Sequence, residues 1–476
     1  MTEAIDVDLC VIGAGAGGLS VAAGASQMGA SVALFERGVM GGDCLNVGCI
    51  PSKALLAAAH AAHAARVAGR FGLDMTVAPV DWHRVRDHVR GVVAAIAPVD
   101  SVERYEGFGV RVIQDHARFT GPREVEGGGV TVRARFVVIA TGSGPSVPPI
   151  PGLAETPYLT NESIFDLDAR PAHLLVLGGG AIGCELAQAH ARLGCRVTLV
   201  EAARLLGAED PEAADAVRLA LARDGVQILE GTAARAVART DDGGVSLTLD
   251  GAAGPADVTG SHLLVSTGRR VAFEEMDLAR AGIAIDDRGR LVLDSRLRTS
   301  NRRVFAVGDA AGGPQFTHLA GVHAGVVIRN VLFRLPAKAP RADVPRVTYT
   351  APELAQVGPT EAELTTAGTR FGVLRWSYAE NDRAQAERAI DGFAKLLVAP
   401  NGRVLGATVV GEAAGELVPV LGLAVDRRLK VSALAGLVVP YPTRAEVIKR
   451  AASSWYVPTL FGDRTKAVVR FLMRFA

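Results

Sequence analysis

Residues 8–37, DLCVIGAGAGGLSVAAGASQMGASVALFER, decide the fold, because they contain a strand, a glycine turn, a helix and a second strand in that order. Gly13, Gly15 and Gly18 have the G-x-G-x-x-G spacing, and the second strand ends at Glu36. In this context the glycines let the backbone approach a pyrophosphate at the helix N-terminus, and the acid accepts hydrogen bonds from a ribose. The stretch therefore predicts a dinucleotide site; the alternative is a tight strand–helix turn without a ligand.

The same unit returns at residues 173–206, HLLVLGGGAIGCELAQAHARLGCRVTLVEAARLL. Its glycines are Gly178, Gly180 and Gly183, and its second strand ends at Glu201. In both units the first glycine lies 23 positions before the acid, and the two units are 165 positions apart. Two nucleotide sites of one design in one chain suggest two dinucleotides that exchange electrons.

Composition limits the class of protein. The chain has 476 residues, a net charge of +1 and five cysteines. A nearly neutral chain offers no electrostatic reason to bind nucleic acid, and so few cysteines point to a reducing compartment. No signal peptide or membrane-spanning run is apparent, so we expect a cytoplasmic protein of several domains.

Two cysteines lie close together in GGDCLNVGCIPSK, residues 41–53. A zinc site would need a second ligand pair, and no Cys or His doublet lies nearby, so no metal site is predicted. Positions five apart on a regular helix are too far apart for a disulfide, but Gly48 and Pro51 favour a distorted turn. Cys44 and Cys49 are therefore either a redox pair or two unrelated thiols.

Two further segments fit a cofactor in the first unit. FVVIATGSGPSVPPIPG, residues 136–152, predicts a strand, a Thr-Gly turn and a proline-rich domain boundary. RRVFAVGDAA, residues 302–311, predicts a strand that delivers Asp309 at its C-terminal end, where ligands bind in α/β sheets. Asp309 can hold the ribityl hydroxyls of a flavin; the alternative is a helix N-cap.

These motifs together resemble one family over almost the whole chain, the flavoprotein pyridine nucleotide-disulfide oxidoreductases. Dihydrolipoamide dehydrogenase, glutathione reductase and mercuric reductase belong to it. The cysteine segment, both fingerprints and the segments ATG (140–142), AVGDA (306–310) and APELAQVGPTEAEL (351–364) occur in the family's order. The resemblance implies FAD in the first unit, a nicotinamide in the second, and a homodimer formed by a C-terminal interface domain.

The predicted fold is α/β, with two Rossmann-like dinucleotide-binding domains and a C-terminal α+β dimerisation domain. The expected boundaries are 1–150 for the first part of the FAD domain, 151–270 for the nicotinamide domain, 271–340 for the return to the flavin domain and 341–476 for the interface domain.

The resemblance also implies roles for individual residues. Cys49 is implied to lie beside the flavin ring, and Cys44 to be the outer thiol that meets the acceptor. Lys53 is similar to the family's lysine near flavin N5, and Glu185 to its ion-pair partner. The residues assigned to the two dinucleotides are Gly13, Gly15, Gly18, Glu36, Gly42, Thr141, Gly142, Asp309, Gly178, Gly180, Gly183, Glu201 and Gly268.

The choice of nicotinamide depends on Glu201, because a carboxylate there accepts from a ribose 2′-hydroxyl and repels a 2′-phosphate. Arg204 lies three residues on and can in principle meet a phosphate. NADH is therefore the expected donor, with NADPH as the alternative.

The chain departs from the family's His-Pro-Thr-x-x-Glu segment, which reaches in from the partner subunit and handles protons. Here the segment is VVPYPTRAEVIKR, residues 438–450, with Tyr441 at the histidine position and with Thr443 and Glu446 retained. A tyrosine is a poor base at neutral pH, so efficient turnover of a disulfide is in doubt. The tyrosine segment is similar to that of mercuric reductase, and reduction of a metal ion depends less on a proton shuttle. The C-terminal cysteine pair of that enzyme is missing, however, because the last cysteine here is Cys195, so the chain satisfies neither subfamily pattern.

The predicted function is FAD-dependent transfer of electrons from NAD(P)H through a Cys44–Cys49 redox disulfide to an acceptor, either a metal ion or a small disulfide. The alternatives are a diaphorase or quinone reductase at a membrane surface and a non-enzymatic, flavin-binding redox sensor. The tail, residues 463–476, predicts a basic amphipathic helix. It either packs on the dimer or contacts an anionic membrane weakly.

Overall fold

A computed structural model describes residues 3–251, 254–340 and 343–475, and the chain divides into two compact units. The first unit comprises Met1–Gly178, Ala189–Val200 and Thr232–Pro340. The second unit comprises Gly179–Gln188, Glu201–Gly231 and Arg341–Ala476. The four-domain division at 150, 270 and 340 stays a prediction.

The strands of the described residues are short, with the two longest in the first unit. They are β1 (Glu3–Ile12), β2 (Val32–Phe35), β3 (Val110–Ile113), β4 (Arg118–Gly121), β5 (Glu124–Gly127), β6 (Val130–Ile139), β7 (Gly144–Pro145), β8 (His173–Leu177), β9 (Arg196–Val200), β10 (Val226–Leu229), β11 (Ala233–Arg239), β12 (Val245–Gly251), β13 (Gly254–Gly260), β14 (His262–Val265), β15 (Arg269–Arg270), β16 (Val304–Ala306), β17 (Arg346–Thr348), β18 (Glu353–Val357), β19 (Gly372–Ser377), β20 (Phe393–Val398) and β21 (Val404–Gly411).

The α-helices alternate with the strands in the nucleotide-binding segments and cluster toward the C-terminus. They are α1 (Ala16–Gln27), α2 (Gly42–Asn46), α3 (Cys49–Arg66), α4 (Trp82–Ile96), α5 (Val102–Gly107), α6 (Ala181–Arg192), α7 (Pro211–Arg223), α8 (Thr317–Val331), α9 (Glu361–Thr366), α10 (Asp382–Ala386), α11 (Ala414–Asp426), α12 (Val431–Ala435), α13 (Glu446–Ser454), α14 (Val457–Leu460) and α15 (Asp463–Leu472).

The main sheet of the first unit has the strand order β3-β2-β1-β6-β5-β4, and β16 also pairs with β6. Strands β3, β2, β1, β6 and β16 are mutually parallel, whereas β4 and β5 add an antiparallel edge. The chain leaves β1 toward β2 on one side, while β6 lies on the other. Such a reversal of strand order is where α/β sheets bind ligands, at the carboxyl ends of the strands.

Alternation along β1 explains why this sheet is covered on both faces. Leu9 and Val11 pack into one buried hydrophobic cluster, and Cys10 and Ile12 pack into another. Because successive strand residues point to opposite faces, a fully apolar run such as this one belongs to a sheet buried on both sides. Cys10 is therefore a core thiol, whose pKa is raised by burial.

The second fingerprint also builds a parallel sheet, in which β9, β8 and β14 are neighbours in that order. Strands β11, β12 and β13 form a separate antiparallel sheet, and β15 pairs with β7. Two parallel βαβ arrangements confirm the α/β class predicted from the glycine fingerprints.

The C-terminal part of the second unit is an antiparallel sheet of order β17-β18-β21-β20-β19 with helices against it. Leu396 of β20, Leu421 of α11 and Ile448 of α13 lie in one buried cluster. Thr360 and Glu363 form a capping box that fixes the start of α9. This region confirms the predicted C-terminal α+β architecture.

The tail forms α14 and α15, and neither helix has a buried residue within this chain. The prediction of a helix at the tail is therefore confirmed. Among the described residues, no helix has the length and apolar character that a bilayer crossing requires.

Candidate active site

Three strand ends of the first unit meet at one edge of its main sheet. Ile139 of β6 is in register with Ile12 of β1 and with Ala306 of β16. The residues that follow these strands, including Gly13 and Asp309, therefore lie at the carboxyl edge of the sheet. This edge is where the sequence predicts the first dinucleotide.

The glycines of the first fingerprint, Gly13 and Gly18, are required by close backbone contacts. Gly13 has φ +105, and a Cβ there would lie 2.4 Å from the carbonyl oxygen of Ala140. A Cβ at Gly18 would lie 1.8 Å from the carbonyl oxygen of Gly13, so only glycine lets α1 approach β1 this closely. Gly15 has open space at its Cβ position at the start of α1. The turn therefore leaves the positive end of α1 accessible to a phosphate.

Both acids of this edge are held in place by short hydrogen bonds. Glu36 accepts from the backbone N–H of Ala14 (2.6 Å) and of Gly38 (2.7 Å). The hydroxyl of Ser143 donates to Asp309 at 2.5 Å. Asp309 lies three residues beyond the end of β16, in a short 3₁₀ turn whose N-cap is Val307 and has no side-chain cap. The helix-capping alternative for Asp309 is therefore not seen.

The remaining predicted FAD residues lie around the same turn. A Cβ at Gly42 would be 2.7 Å from the Cα of Gly15, so Gly42 lets the cysteine segment approach the fingerprint. Thr141 and Gly142 follow β6, and Gly142 has φ +68. An open helix N-terminus, two fixed carboxylates and a glycine-lined turn fit the pyrophosphate and hydroxyl groups of FAD.

The two cysteines are separate thiols on consecutive helices. Cys44 lies in α2 and Cys49 is the first residue of α3. Val47 and Gly48 break the helix between them, and the two thiols are close enough to shift each other's pKa. Pro51 lies in the first turn of α3, where its missing N–H costs no helical hydrogen bond. The distorted turn predicted from Gly48 and Pro51 is confirmed, and the two thiols are adjacent.

The surroundings of Cys49 favour its thiolate. The interaction with Cys44 has the largest effect and, with Thr317 and the charge of Lys53, it lowers the pKa of Cys49 to about 6, although desolvation of the sulfur acts in the opposite direction. The Thr317 hydroxyl, at the start of α8, lies 3.4 Å from the Cys49 sulfur. Because Cys49 itself starts α3, two helix N-termini meet at this sulfur. The same contact with Cys49, together with burial, raises the pKa of Cys44.

An ionic network beside the cysteines was not predicted from the sequence. Arg269 lies 3.1 Å from Asp43, and its Nε donates to Ser143 Oγ at 2.8 Å. Asn161 donates to Asp43 at 3.0 Å and to the carbonyl of Val47 at 3.2 Å. The only sequence signal was position, since Asp43 precedes Cys44 and Arg269 follows the glycine of the second Thr-Gly turn.

The second fingerprint repeats the backbone device of the first. Gly178 has φ +108, and a Cβ there would lie 2.5 Å from the carbonyl oxygen of Ser266. Gly180 has open space at its Cβ position, and Gly183 lies in α6. Gly268, in the turn after β14, has φ +122.

Glu201 is fixed by the backbone as Glu36 is. It accepts from the N–H of Gly179 at 2.7 Å and from that of Ala203 at 2.8 Å. The guanidinium of Arg204 is paired with Asp215 at 2.9 Å and donates to the carbonyl of Pro211 at 3.0 Å.

Lys53 and Glu185 lie on different helices, α3 and α6. Lys53 lies in α3, one turn after Cys49, and its Nζ is 3.4 Å from Ser52 Oγ. Glu185 is buried in α6 and accepts from the N–H of Tyr349 at 2.9 Å. The ion pair between Lys53 and Glu185 stays a prediction.

Tyr441 is exposed, and its phenol donates to Asp382 at 2.9 Å. This hydrogen bond raises the pKa of Tyr441, so the phenol stays protonated at neutral pH. Asp382, which starts α10, was not predicted from the sequence. Glu446 is the first residue of α13, and its role stays a prediction. Across the part of the chain that the structure describes, no three His, Cys, Asp or Glu side chains cluster as metal ligands.

Comparison with known proteins places these features in context. Residues 7–324 match the family described as pyridine nucleotide-disulphide oxidoreductase, and residues 344–452 match the dimerisation domain of that family. A mercuric reductase from Streptomyces lividans is 40% identical over 458 residues, which cover 94% of this chain and 96% of that protein.

Two further relatives differ in their described activities. A dihydrolipoyl dehydrogenase from Thermus scotoductus is 36% identical over 465 residues, which cover 94% of this chain and 97% of that protein. The Cu(II) complex of the HOCl-induced flavoprotein disulfide reductase RclA from Escherichia coli superposes with a TM-score of 0.84 at 28% identity. It covers 93% of this chain and 98% of that one.

Proposed function

The chain belongs to the pyridine nucleotide-disulphide oxidoreductase family, and we propose that within it the chain reduces a metal ion, with Hg(II) as the first candidate, at the Cys44–Cys49 pair. The protein is an FAD-dependent oxidoreductase driven by NAD(P)H, as its family and relatives are. Bound FAD supplies the step from a two-electron hydride donor to a dithiol. The residues of this chain hold the dinucleotides and present the thiols.

The observation that carries the proposal is the placement of two thiols on the consecutive helices α2 and α3, with Cys49 at the N-terminus of α3 and its thiolate favoured. Thiolates are the preferred ligands of soft metal ions, and two adjacent sulfurs can bind one such ion. The fixed Cys49 sulfur and the half-buried Cys44 sulfur would therefore receive the acceptor together. A thiophilic ion needs no further ligand cluster in the chain to be captured here.

Proton balance favours a metal ion over a disulfide. Reduction of Hg(II) by NADH yields NAD⁺, Hg(0) and one released proton, so no proton must be delivered to the acceptor. Reduction of a disulfide by NADH consumes a proton and must protonate both product sulfurs. Tyr441, held protonated by Asp382 with a raised pKa, neither accepts nor readily releases a proton at neutral pH, so it serves that exchange poorly.

A small disulfide is the second candidate acceptor. The dihydrolipoyl dehydrogenase relative, together with the retained Thr443 and Glu446, supports it. The diaphorase and redox-sensor alternatives are not favoured, because the relatives are a mercuric reductase and a dihydrolipoyl dehydrogenase and the chain has both dinucleotide fingerprints and the cysteine pair.

We propose NADH as the donor. Glu201 accepts backbone hydrogen bonds that aim its carboxylate at the turn, where it suits a 2′-hydroxyl and repels a 2′-phosphate. Arg204 was the residue that, from the sequence, can in principle bind a 2′-phosphate, but its guanidinium is paired with Asp215. Both contacts support NADH over NADPH.

We also propose a homodimer formed through residues 341–476, since this region carries the dimerisation-domain match. In that dimer Tyr441 of one subunit would lie near the cysteine pair of the other.

The experiment compares acceptors in one assay. FAD-loaded protein is given NADH with a Hg(II) salt and excess small thiol, with a Cu(II) salt, or with lipoamide, and NADH oxidation is followed. We expect Hg(II)-dependent oxidation to exceed lipoamide-dependent oxidation by about tenfold or more, because the histidine base is missing. Cys44→Ser should abolish the metal-dependent rate.

The matched control is Cys195→Ala, which removes a buried thiol outside the pair. It should leave the metal-dependent rate unchanged. Lipoamide turnover faster than Hg(II) turnover would make the small disulfide the acceptor. Equal metal turnover in wild type and Cys44→Ser would overturn the proposal itself.

A further inference from the structure

The carboxylate of Asp43 lies beside the segment that connects the two cysteines. Asp43 directly precedes Cys44. A Cβ at Gly48, the residue before Cys49, would lie 2.7 Å from Asp43 Oδ2, so the carboxylate is packed against the Gly48 backbone. The side chain is therefore placed to set the turn that joins the two thiols.

Asn161 closes the same turn from outside. Its amide nitrogen donates to Asp43 Oδ1 at 3.0 Å and to the carbonyl oxygen of Val47 at 3.2 Å. One amide thus binds the first and the fifth residue of the segment Asp43–Val47. The amide therefore links the two ends of this segment.

Arg269 holds Asp43 and joins it to Asp309. Its Nη2 lies 3.1 Å from Asp43 Oδ1 and donates to the carbonyl oxygen of Ser143 at 2.6 Å. Its Nε donates to Ser143 Oγ, which in turn donates to Asp309, and the Nε itself is 3.9 Å from Asp309. The Arg269 side chain is 14% exposed, so its two carboxylate neighbours are only weakly screened by water.

We propose that Arg269 and Asp43 are positioning residues for the thiol pair: the ion pair between them, with Asn161, keeps the turn in the shape that holds the Cys44 and Cys49 sulfurs together. This inference rests on the proposed function, since it assumes that the two thiols are the redox centre. Neither residue touches the acceptor. They act by favouring the geometry in which the two sulfurs join.

The reaction that reports this geometry needs no flavin. Oxidised glutathione takes up two electrons from the Cys44 and Cys49 thiols, whose protons pass to the two glutathione molecules that leave. One S–S bond is broken in glutathione and one is formed between Cys44 and Cys49. The equilibrium constant of this exchange measures how well the fold holds the two sulfurs together.

The test measures that constant in FAD-loaded protein equilibrated with glutathione buffers, with thiol alkylation and mass analysis of the chain as the readout. Arg269→Gln should lower the constant by about tenfold, because a charged hydrogen bond that orients Asp43 is lost. Asp43→Asn should lower it by a similar factor. The double variant should be no worse than either single variant, since both changes break one interaction.

The matched control is Arg270→Gln, which removes the neighbouring arginine and its exposed ion pair with Glu274. It should leave the constant unchanged. An Arg269→Gln constant equal to that of the control, or additive losses in the double variant, would overturn the inference while leaving the proposed function intact. If wild type forms no Cys44–Cys49 disulfide in any buffer, the proposed function fails and the inference fails with it.

Discussion

The two glycine fingerprints share a backbone design, but the segments that follow them, after Glu36 and after Glu201, carry different chemical groups. Gly41 N–H donates to the Ala14 carbonyl at 2.9 Å in the first unit, and Leu206 N–H donates to the Gly179 carbonyl at 2.9 Å in the second. The residues of these two bonds are 165 positions apart, as the fingerprints are. The repeated design therefore extends beyond the glycines into the connection after the second strand.

The connections diverge directly after this shared bond. In the connection after the first fingerprint, Cys44 lies in the short helix α2. The position 165 residues later is Glu209, which accepts from Arg346 at 2.8 and 2.9 Å. The next residue, Asp210, caps α7 and is paired with Lys395 at 3.0 Å. One copy of the connection is thus chemically reactive, and the other is fixed by cations.

The difference shows how a duplicated unit can carry two roles. Nucleotide binding needs only the strand, the turn, the helix and the acid, because these supply the phosphate and ribose contacts. The segment that follows is free to differ: in this chain it carries Cys44 and Cys49 in one copy and the residues paired with Arg346 and Lys395 in the other.

The largest expected effect comes from replacing a thiol of the first connection, compared with replacing the acid Glu209 of the second. Cys49→Ser should lower acceptor-dependent NADH oxidation by about 10³-fold or more, since a thiol that acts as part of a unit cannot be replaced by a hydroxyl. Glu209→Ser should leave that rate within about twofold at 25 °C and lower stability by about 1–3 kcal/mol instead. Steady-state rates and urea unfolding measure the two effects. A large rate loss in Glu209→Ser would show that the second connection also takes part in turnover.

The next effect concerns the cation that fixes the second connection. Lys395 is 6% exposed and contacts Asp210, Glu212 and Glu361 at 3.0, 2.9 and 2.8 Å. Lys395→Met should lower the free energy of unfolding by about 3–5 kcal/mol, because it leaves the buried Asp210 carboxylate without its cation. Urea denaturation measures the change, with the exposed Lys430→Met as control. A loss no greater than that of the control would mean that the lysine is not needed to fix the connection.

The smallest effect concerns the pH dependence of the reactive connection. With a pKa of about 6, Cys49 gains thiolate as the pH rises through 6, and its alkylation by iodoacetamide in reduced protein should rise over the same range. Thr317→Val removes a hydrogen bond to the thiolate and should move this midpoint upward by less than about one pH unit.

The control for this pH measurement is Thr259→Val on the surface of β13, which should leave the midpoint unchanged. Cys195, whose pKa is raised to about 12 by burial, should stay unreactive throughout. A midpoint near the ordinary pKa of a free thiol in wild type would contradict the assigned surroundings of Cys49.

Local patterns in the sequence determined the fold class, both nucleotide turns and the position of the thiol pair. Gly13 and Gly178 are predictable because a positive φ and a carbonyl within 2.5 Å of their Cβ positions admit glycine alone. The break between Cys44 and Cys49 is predictable because Gly48 and Pro51 act on the backbone within a few residues. Such constraints are local, so the chain carries them without its tertiary structure.

Only the tertiary structure decided which distant side chains meet these local features. Arg269 is 226 positions from Asp43, Thr317 is 268 from Cys49, and Asp382 is 59 from Tyr441. The sequence has 51 basic and 50 acidic residues, so composition gives no means of choosing their pairs. Pairing depends on which strand ends share an edge of a sheet and which helices start beside them. Contacts of this kind supply the charges and hydrogen bonds that favour a thiolate at Cys49 and a protonated phenol at Tyr441.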